Sequence, residues 1–164
     1  MAEQTPQAAP ATDPNAPQFV PQAVYIKDVS FEAPNGPRAP DGANNVQPQI
    51  NLNMNTTVND MGPELREVVL TINLQATIGD KSMWLVELQQ AGAFAMRNIP
   101  QADLPKLLSI YCPGYLLPYA RQTVSDLLQK GGFQPFLLPP VNFDALYSQA
   151  LAQQQAAPPA APLN

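Results

Sequence analysis

Hydrophobic and polar residues alternate along four segments in the first two thirds of the chain, which is the pattern of β-strands that bury one face. In the third segment, for example, Leu70 and Ile72 share one face while Thr71 lies on the other. Gly79-Asp80 follows as a tight turn, and short polar turns between alternating strands favour an antiparallel sheet. The four predicted strands cover residues 23–33, 49–57, 65–78 and 82–94.

Beyond these strands the hydrophobic residues recur every three or four positions, which indicates helices. The three predicted helices cover residues 104–111, 116–130 and 143–151. Pro118 is expected in the first turn of the second helix, where proline is tolerated, and Gly131-Gly132 is expected to end that helix. Asn142 is a good N-cap for the third helix. Strands followed by helices indicate an α+β fold.

Proline is enriched at both ends of the chain and accounts for 20 of its 164 residues. Residues 1–21 and 152–164 combine proline with alanine and glutamine, and they contain little that could pack in a core. We therefore predict a disordered N-terminal arm over 1–21, one folded domain over 22–151, and a disordered tail over 152–164.

The residue types present exclude most enzymatic chemistry. The chain has no histidine and a single cysteine, Cys112. It therefore lacks the residues for Ser-His-Asp or Cys-His nucleophiles, for histidine or multi-cysteine metal sites, and for an internal disulfide. Cys112 is expected to be a small buried apolar residue. We expect no enzyme activity, no catalytic residue, no metal and no cofactor.

Charge and hydropathy limit the partners and the location. The net charge is −5, and the lysines and arginines are scattered singly, whereas nucleic-acid-binding proteins usually carry a basic patch. No apolar segment approaches the roughly 18 residues of a membrane span, and the N-terminus lacks the pattern of a signal peptide. We expect a cytoplasmic protein that neither binds nucleic acid nor inserts directly into a membrane.

The polar face of the predicted sheet carries four acidic residues, Asp28, Glu32, Glu67 and Glu87. Lys27 and Arg66 fall on the opposite face by the alternation. The acidic face is either an ordinary solvated surface or a docking surface for a basic partner. A catalytic pair of carboxylates is disfavoured, because a flat open face offers neither a cleft nor a cause of shifted pKa values.

Two hydrophobic features each have more than one interpretation. An extended, proline-rich segment after residue 130 contains Phe133, Phe136 and Leu138 and leads to Phe143. This segment is either a groove for extended peptide or a cover for the core. The apolar side of the helix 116–130 is wide enough to pack on the sheet and also on a second subunit, so we expect an oligomer.

Three segments of the chain resemble the SecB family of bacterial protein-export chaperones. They occur in the family's order, and the resemblance spans residues 24–151. The segments are Lys27-Asp28-Val29-Ser30-Phe31-Glu32-Ala33-Pro34-Asn35, then Tyr111-Cys112-Pro113 with Leu117-Pro118-Tyr119-Ala120-Arg121, and finally Pro140-Val141-Asn142-Phe143-Asp144-Ala145-Leu146.

This resemblance implies a four-stranded antiparallel sheet with helices packed on one face. It also implies a homotetramer, a dimer of dimers, in which long helices lie between two eight-stranded sheets. The candidate residues for contacts between subunits are Leu117, Ala120, Val124 and Leu127.

The resemblance further implies a chaperone that binds unfolded precursor polypeptides, keeps them competent for export and delivers them to the ATPase SecA, without a cofactor. The family's SecA-docking residues map to Asp28, Glu32, Leu85 and Glu87, which the alternation places together on the polar face. The candidate residues of the substrate groove are Phe136, Leu138, Phe143 and Tyr147.

The chain departs from the family's pattern in two places. Residues 38–47 contain no aromatic residue, although the family's loop at this point usually contributes aromatic side chains to the groove, so the lining is expected to come from elsewhere. Residues 152–164 carry no charge, whereas the family's tail is often acidic. A SecB-like chaperone dedicated to another client, such as an antitoxin, remains the alternative. The lack of histidine and of a glycine-rich phosphate loop argues against a small-ligand enzyme.

Overall fold

The computed structural model describes residues 15–38 and 46–156. A four-stranded antiparallel sheet is followed by helices, which confirms the predicted α+β fold. The elements in chain order are β1 (Gln18–Glu32), β2 (Gln49–Gly62), β3 (Leu65–Ile78), β4 (Lys81–Arg97), α1 (Leu104–Lys106), a π-helical segment (Leu107–Tyr111), α2 (Cys112–Lys130) and α3 (Phe143–Ala156).

The strand order in the sheet is β1-β4-β3-β2, so β1 and β2 form its edges. Strand β3 has the predicted bounds, whereas the other three strands extend beyond the alternating segments. β1 begins five residues before the predicted strand because Phe19 pairs with Met96 and stacks on the ring of Phe94, with centroids 5.5 Å apart. Pro21 is accommodated because β1 is an edge strand with a register shift at this point.

One face of the sheet, which we call the inner face, packs against α2 and forms the core. On β3 the inner residues are those that the alternation selected, namely Val68, Leu70, Ile72, Leu74 and Ala76. The helix approaches the sheet closely at Gly92, where an added Cβ would lie 2.9 Å from Cδ2 of Leu116. The opposite face, the outer face, is left without a covering helix among the described residues.

A π-helical segment joins the first two predicted helices into one continuous helical stretch. The backbone N–H of Cys112 donates to the carbonyl of Leu107, five residues earlier. The next residue, Pro113, has no N–H to continue an α-helical pattern at this point. Pro118 lies inside α2 and not in a first turn, so the predicted start of this helix at residue 116 was wrong.

The ends of the last two helices follow the predicted local signals. Gly131 caps α2 with a hydrogen bond from its N–H to the carbonyl of Leu127, and Gly132 adopts a positive φ of 82°. Asn142 Oδ1 accepts the N–H of Ala145 at 2.9 Å, which confirms the N-cap of α3. Within the described ranges, no helix is both long and apolar enough to cross a membrane.

Strand β1 and helix α3 extend into the two terminal segments that were predicted to be disordered. Residues 18–21 belong to β1 and not to a disordered arm, and residues 152–156 continue α3. Residues 15–17 are described and precede β1, and the remaining predicted positions, 1–14 and 157–164, lie outside the described residues.

Replacing Gly92 by alanine should destabilise the protein by about 1–3 kcal/mol, because the new methyl group would overpack the contact between β4 and α2. The ring of Phe94, only 2.8 Å from the added Cβ, is fully buried and stacked on Phe19, so it has little room to move. Urea unfolding monitored by circular dichroism measures the change.

Gly114→Ala is the matched control. A Cβ at Gly114 would meet Cδ2 of Phe143 at an ordinary 3.9 Å. In this helix interior alanine should stabilise the protein by about 0.5–1 kcal/mol. Equal unfolding free energies for the two variants would contradict the close approach at Gly92.

Candidate functional site

The antiparallel register aligns the outer-face residues of all four strands in rows across the sheet. The first row is Asn51, Gln75, Leu85 and Glu32; the second is Asn53, Asn73, Glu87 and Ser30; the third is Asn55, Thr71, Gln89 and Asp28. We call Asp28, Glu32, Leu85 and Glu87 the acidic half of this face. We call Asn51, Asn53, Asn55, Asn73 and Gln75 the amide half.

The acidic half brings together all of the residues predicted for partner docking. Glu32 and Leu85 are direct partners across β1 and β4, and the Ser30 hydroxyl lies 3.4 Å from a carboxylate oxygen of Glu87. The three carboxylate side chains are exposed, and among the described residues none of them forms an ion pair. This half of the face therefore carries uncompensated negative charge around one half-buried leucine.

Glu67, the fourth acidic residue predicted on this face, is buried and paired. Its carboxylate accepts hydrogen bonds from the Tyr25 hydroxyl, from Lys27 Nζ at 2.6 Å and from Asn59 Nδ2 at 2.6 Å. The hydrogen bond from Lys27 is the main cause that lowers the pKa of Glu67 to about 2, and the bond from Tyr25 adds to it. The bond to Glu67 also raises the pKa of Tyr25 to about 12.

The prediction that Lys27 lies on the face opposite the acids was wrong. A register shift between Ile26 and Asp28 inserts one residue into β1, which reverses the alternation before that point and lets Tyr25 and Lys27 reach Glu67 on the outer face. Strand β4 lies between β1 and β3, so the side chains of Tyr25 and Lys27 must pass over β4 to reach Glu67. They can do so because β4 has only the small residues Ala91 and Ala93 on the outer face at this point. Because Glu67 engages Lys27, this lysine does not neutralise the acidic half.

A groove of about 420 Å³ lies on the other side of the molecule, between one end of the sheet and the segment that follows α2. Trp84 and Phe136 form part of its wall with ring centroids 6.5 Å apart. Among the residues that the structure describes, no ionisable side chain lines it. The lining residues are Pro37, Pro48, Ile50, Ala76, Met83, Trp84, Gly132, Phe133, Gln134, Pro135 and Phe136.

Only one of the four predicted groove residues, Phe136, lines this groove. Leu138 and Phe143 are buried in the core, at 2% and 9% exposure, so these two predictions were wrong; Tyr147 lies on α3 outside the lining. The extended segment after α2 is therefore both a groove wall and a core cover. Ile50 and Trp84 were visible in the sequence only as strand residues, because nothing local indicates which element crosses the end of a strand.

The apolar residues predicted for subunit contacts face the protomer's own core. Leu117, Ala120 and Val124 are buried in the core cluster, and Leu127 packs against it, so α2 uses this side on its own sheet. The exposed side of the same helical stretch presents three tyrosines, Tyr111, Tyr115 and Tyr119. Cys112 is fully buried, and this burial raises the pKa of its thiol to about 12, as expected for an unreactive core cysteine.

Comparison with known proteins decides the family. The family model described as preprotein translocase subunit SecB matches residues 12–154. The chain belongs to the SecB family. A protein-export protein SecB of Xanthomonas euvesicatoria is 45% identical over 90% of this chain and 86% of its own length. Those of Marinobacter nauticus and Nitrosococcus oceani are 43% and 41% identical, over 94% and 96% of this chain and 92% and 96% of their own lengths.

A solved structure shows the same fold at low sequence similarity. A SecB-like chaperone of Mycobacterium tuberculosis, determined with a peptide from an antitoxin, is 17% identical and superposes with a TM-score of 0.61 over 75% of this chain and 90% of its own. SecB membership confirms the resemblance drawn from the three sequence segments. Those segments lie at the end of β1, around the start of α2, and at the start of α3.

The protonation of Glu67 should make stability depend on pH. Its folded pKa of about 2 is below the unfolded value of 4.5, so its contribution is complete above pH 4.5 and is lost as the pH falls towards 2. At pH 7, Glu67→Gln should lower the free energy of unfolding by about 2–3 kcal/mol. Denaturant unfolding at a series of pH values should show this difference shrink below pH 4.5.

Glu87→Gln is the control, because it removes an exposed carboxylate from the same face. Its unfolding free energy should stay within about 0.5 kcal/mol of the parent protein. A Glu67→Gln penalty that is equally large at pH 2.5 and pH 7 would show that the ion pair is not its source.

Proposed function

We propose that this SecB-family protein is a cytoplasmic holdase chaperone for protein export. It binds unfolded precursor polypeptides, keeps them competent for translocation and delivers them to SecA. The observation that carries the proposal is the placement of two chemically different surfaces on opposite sides of one sheet. One is an apolar groove whose described lining has no ionisable side chain, and the other is an exposed face with carboxylates that form no ion pair among the described residues.

The groove has the chemistry for apolar segments of an unfolded chain. Trp84, Phe133 and Phe136 offer large apolar surfaces, and prolines at 37, 48 and 135 make its rim rigid. Because few polar groups fix a particular ligand, the groove accepts many sequences, with modest affinity at each site. The M. tuberculosis neighbour with its antitoxin peptide supports polypeptide as the class of ligand.

The acidic half has the chemistry for a basic partner. Asp28, Glu32 and Glu87 form no ion pairs among the described residues, so their field attracts a cationic segment and speeds its encounter. Leu85 supplies an apolar contact at the centre of this charge. SecA is the partner that the SecB family membership favours. The relatives described as protein-export proteins favour this route over an antitoxin-dedicated chaperone.

The protein acts as a homotetramer in this proposal. Exposed Tyr111, Tyr115 and Tyr119 give α2 and the segment before it a second contact surface, which replaces the buried set Leu117, Ala120 and Val124. On the edge strand β1, Val20 and Ile26 are 46% and 47% exposed to solvent. An exposed apolar edge strand can pair with the edge of a second sheet. Several grooves in one assembly would hold a precursor by avidity.

Asp28→Arg should weaken SecA binding at least tenfold, because it replaces attraction of the basic partner by repulsion. Precursor holding should not change, since Asp28 lies on the outer face, away from the groove lining. Isothermal titration with purified SecA, and a light-scattering assay of precursor aggregation, measure the two activities separately.

Asp103→Arg is the control, since it makes the same change in net charge at an exposed position that precedes α1. SecA affinity equal to that of the parent protein in the Asp28→Arg variant would reject the acidic half as the docking surface.

Phe136→Ala should weaken precursor holding roughly tenfold, because it removes an aromatic wall of the groove. SecA binding should be retained. The adjacent Leu137→Ala is the control, since Leu137 is 69% exposed and lies outside the lining. The measurement is the chaperone concentration needed for half-maximal suppression of precursor aggregation. Equal effects of the two substitutions would contradict the groove assignment.

A further inference from the structure

The amide half of the outer face has features that the stability of the sheet does not explain. Its five residues lie in three cross-strand pairs of β2 and β3, in which Asn51 faces Gln75, Asn53 faces Asn73, and Asn55 faces Thr71. None of the five amide side chains makes a hydrogen bond within the described residues. Asparagine is among the least favourable residues for a strand. Three of them on one face of β2, with a fourth opposite on β3, therefore cost sheet stability without an internal hydrogen bond in return.

Four of these amides, all except Asn55, line a shallow depression that reaches the acidic half. Its volume is about 350 Å³, and Leu85 closes the side nearest β4. The lining residues are Asn51, Leu52, Asn53, Asn73, Gln75 and Leu85. Since Leu85 also pairs with Glu32 across β1 and β4, the depression and the carboxylates form one continuous surface.

The chemistry of this depression suits a peptide main chain. Each amide side chain offers donors and an acceptor, as a peptide group does, and none of the described residues that line the depression is charged. A cation gains little there, whereas the acidic half beside it attracts cations. An occupant that satisfies both halves is an extended segment with basic side chains at one end and a neutral, hydrogen-bonding main chain at the other.

The dimensions allow one short segment to contact both halves. Neighbouring strands are about 4.8 Å apart, so the distance from β2 to β1 across the sheet is roughly 14 Å. An extended peptide covers that distance with about four or five residues. Separate partners for the two halves are therefore unnecessary.

We infer that the amide half, through Asn53, Asn73 and Gln75, binds the main chain of the same basic partner segment that docks on the acidic half. This inference rests on the proposed function, because it assigns a second set of contacts to the SecA-docking surface. The carboxylates attract and hold the basic side chains, Leu85 takes an apolar side chain, and the amides set the direction of the segment across the sheet.

The test compares an amide variant with a charge variant at several salt concentrations. Asn53→Ala combined with Asn73→Ala should weaken binding of purified SecA roughly tenfold, the loss of two hydrogen bonds. The slope of affinity against salt concentration should stay that of the parent protein, because no charge is removed. Glu87→Gln should instead flatten that slope. Gln101→Ala, an exposed amide in the connection after β4, should leave both quantities unchanged.

Thermal unfolding by circular dichroism verifies that every variant is folded, and the precursor-holding assay verifies that the groove is intact. If the double variant binds SecA like the parent protein while Glu87→Gln binds more weakly, the inference is overturned and the proposed docking function stands. A double variant that flattens the salt slope also overturns the inference, since it would then act through charge. If SecA does not bind the parent protein, both are overturned.

Discussion

The packing of α2 on the inner face of the sheet determines which surfaces of this protein remain open. Leu116, Ala120 and Val124 are fully buried there, and the absence of a side chain at Gly92 allows the close approach. Because the helix covers the inner face, the outer face is the one left open. The chain then leaves α2 at Gly131 and crosses the end of the sheet, where it builds the groove.

The buried carboxylate of Glu67 connects sheet stability with the charge of the outer face. A carboxylate that loses its water is tolerated only when hydrogen bonds and a counter-charge replace it. Tyr25 and Lys27 from one edge strand and Asn59 from the other supply them. The same ion pair engages Lys27, which is next to Asp28 in the chain. The interaction that secures both edge strands thus also leaves Asp28, Glu32 and Glu87 without a counter-charge.

The end of β1 lies between the two proposed binding surfaces. Phe31 points inward and meets the ring of Phe133, a groove residue, edge to face at 6.2 Å. The next residue, Glu32, points outward into the acidic half. The contact is tight, because a Cβ on Gly131 would lie 2.4 Å from the Phe31 ring. Two consecutive residues of one strand therefore support the groove and the docking face at the same time.

Local sequence determined those features that depend only on neighbouring residues. The alternation in β3 selected its inner-face residues correctly, although Glu67 and Val69 on the outer face are buried as well. The alternation also placed Asp28, Glu32, Leu85 and Glu87 on one face. The capping signals at Gly131 and Asn142 were correct for the same reason, since a cap is a contact within one helix end. The three segments that resemble SecB were sufficient to identify the family.

Tertiary structure decided what covers each face and where the alternation changes. The inserted residue in β1 exists only in the pairing with β4, so no pattern in β1 alone could place Lys27 beside Glu67. Helical spacing placed the apolar residues Leu117 and Val124 on one side of the helix. The sequence does not indicate whether the protomer's own sheet or a second subunit buries that side, and the structure shows that the sheet does. Leu138 and Phe136 are two residues apart in the same segment, yet one is buried in the core and the other lines the groove. Burial depends on the distant elements that meet at a position, and that information lies in the packing of the whole chain.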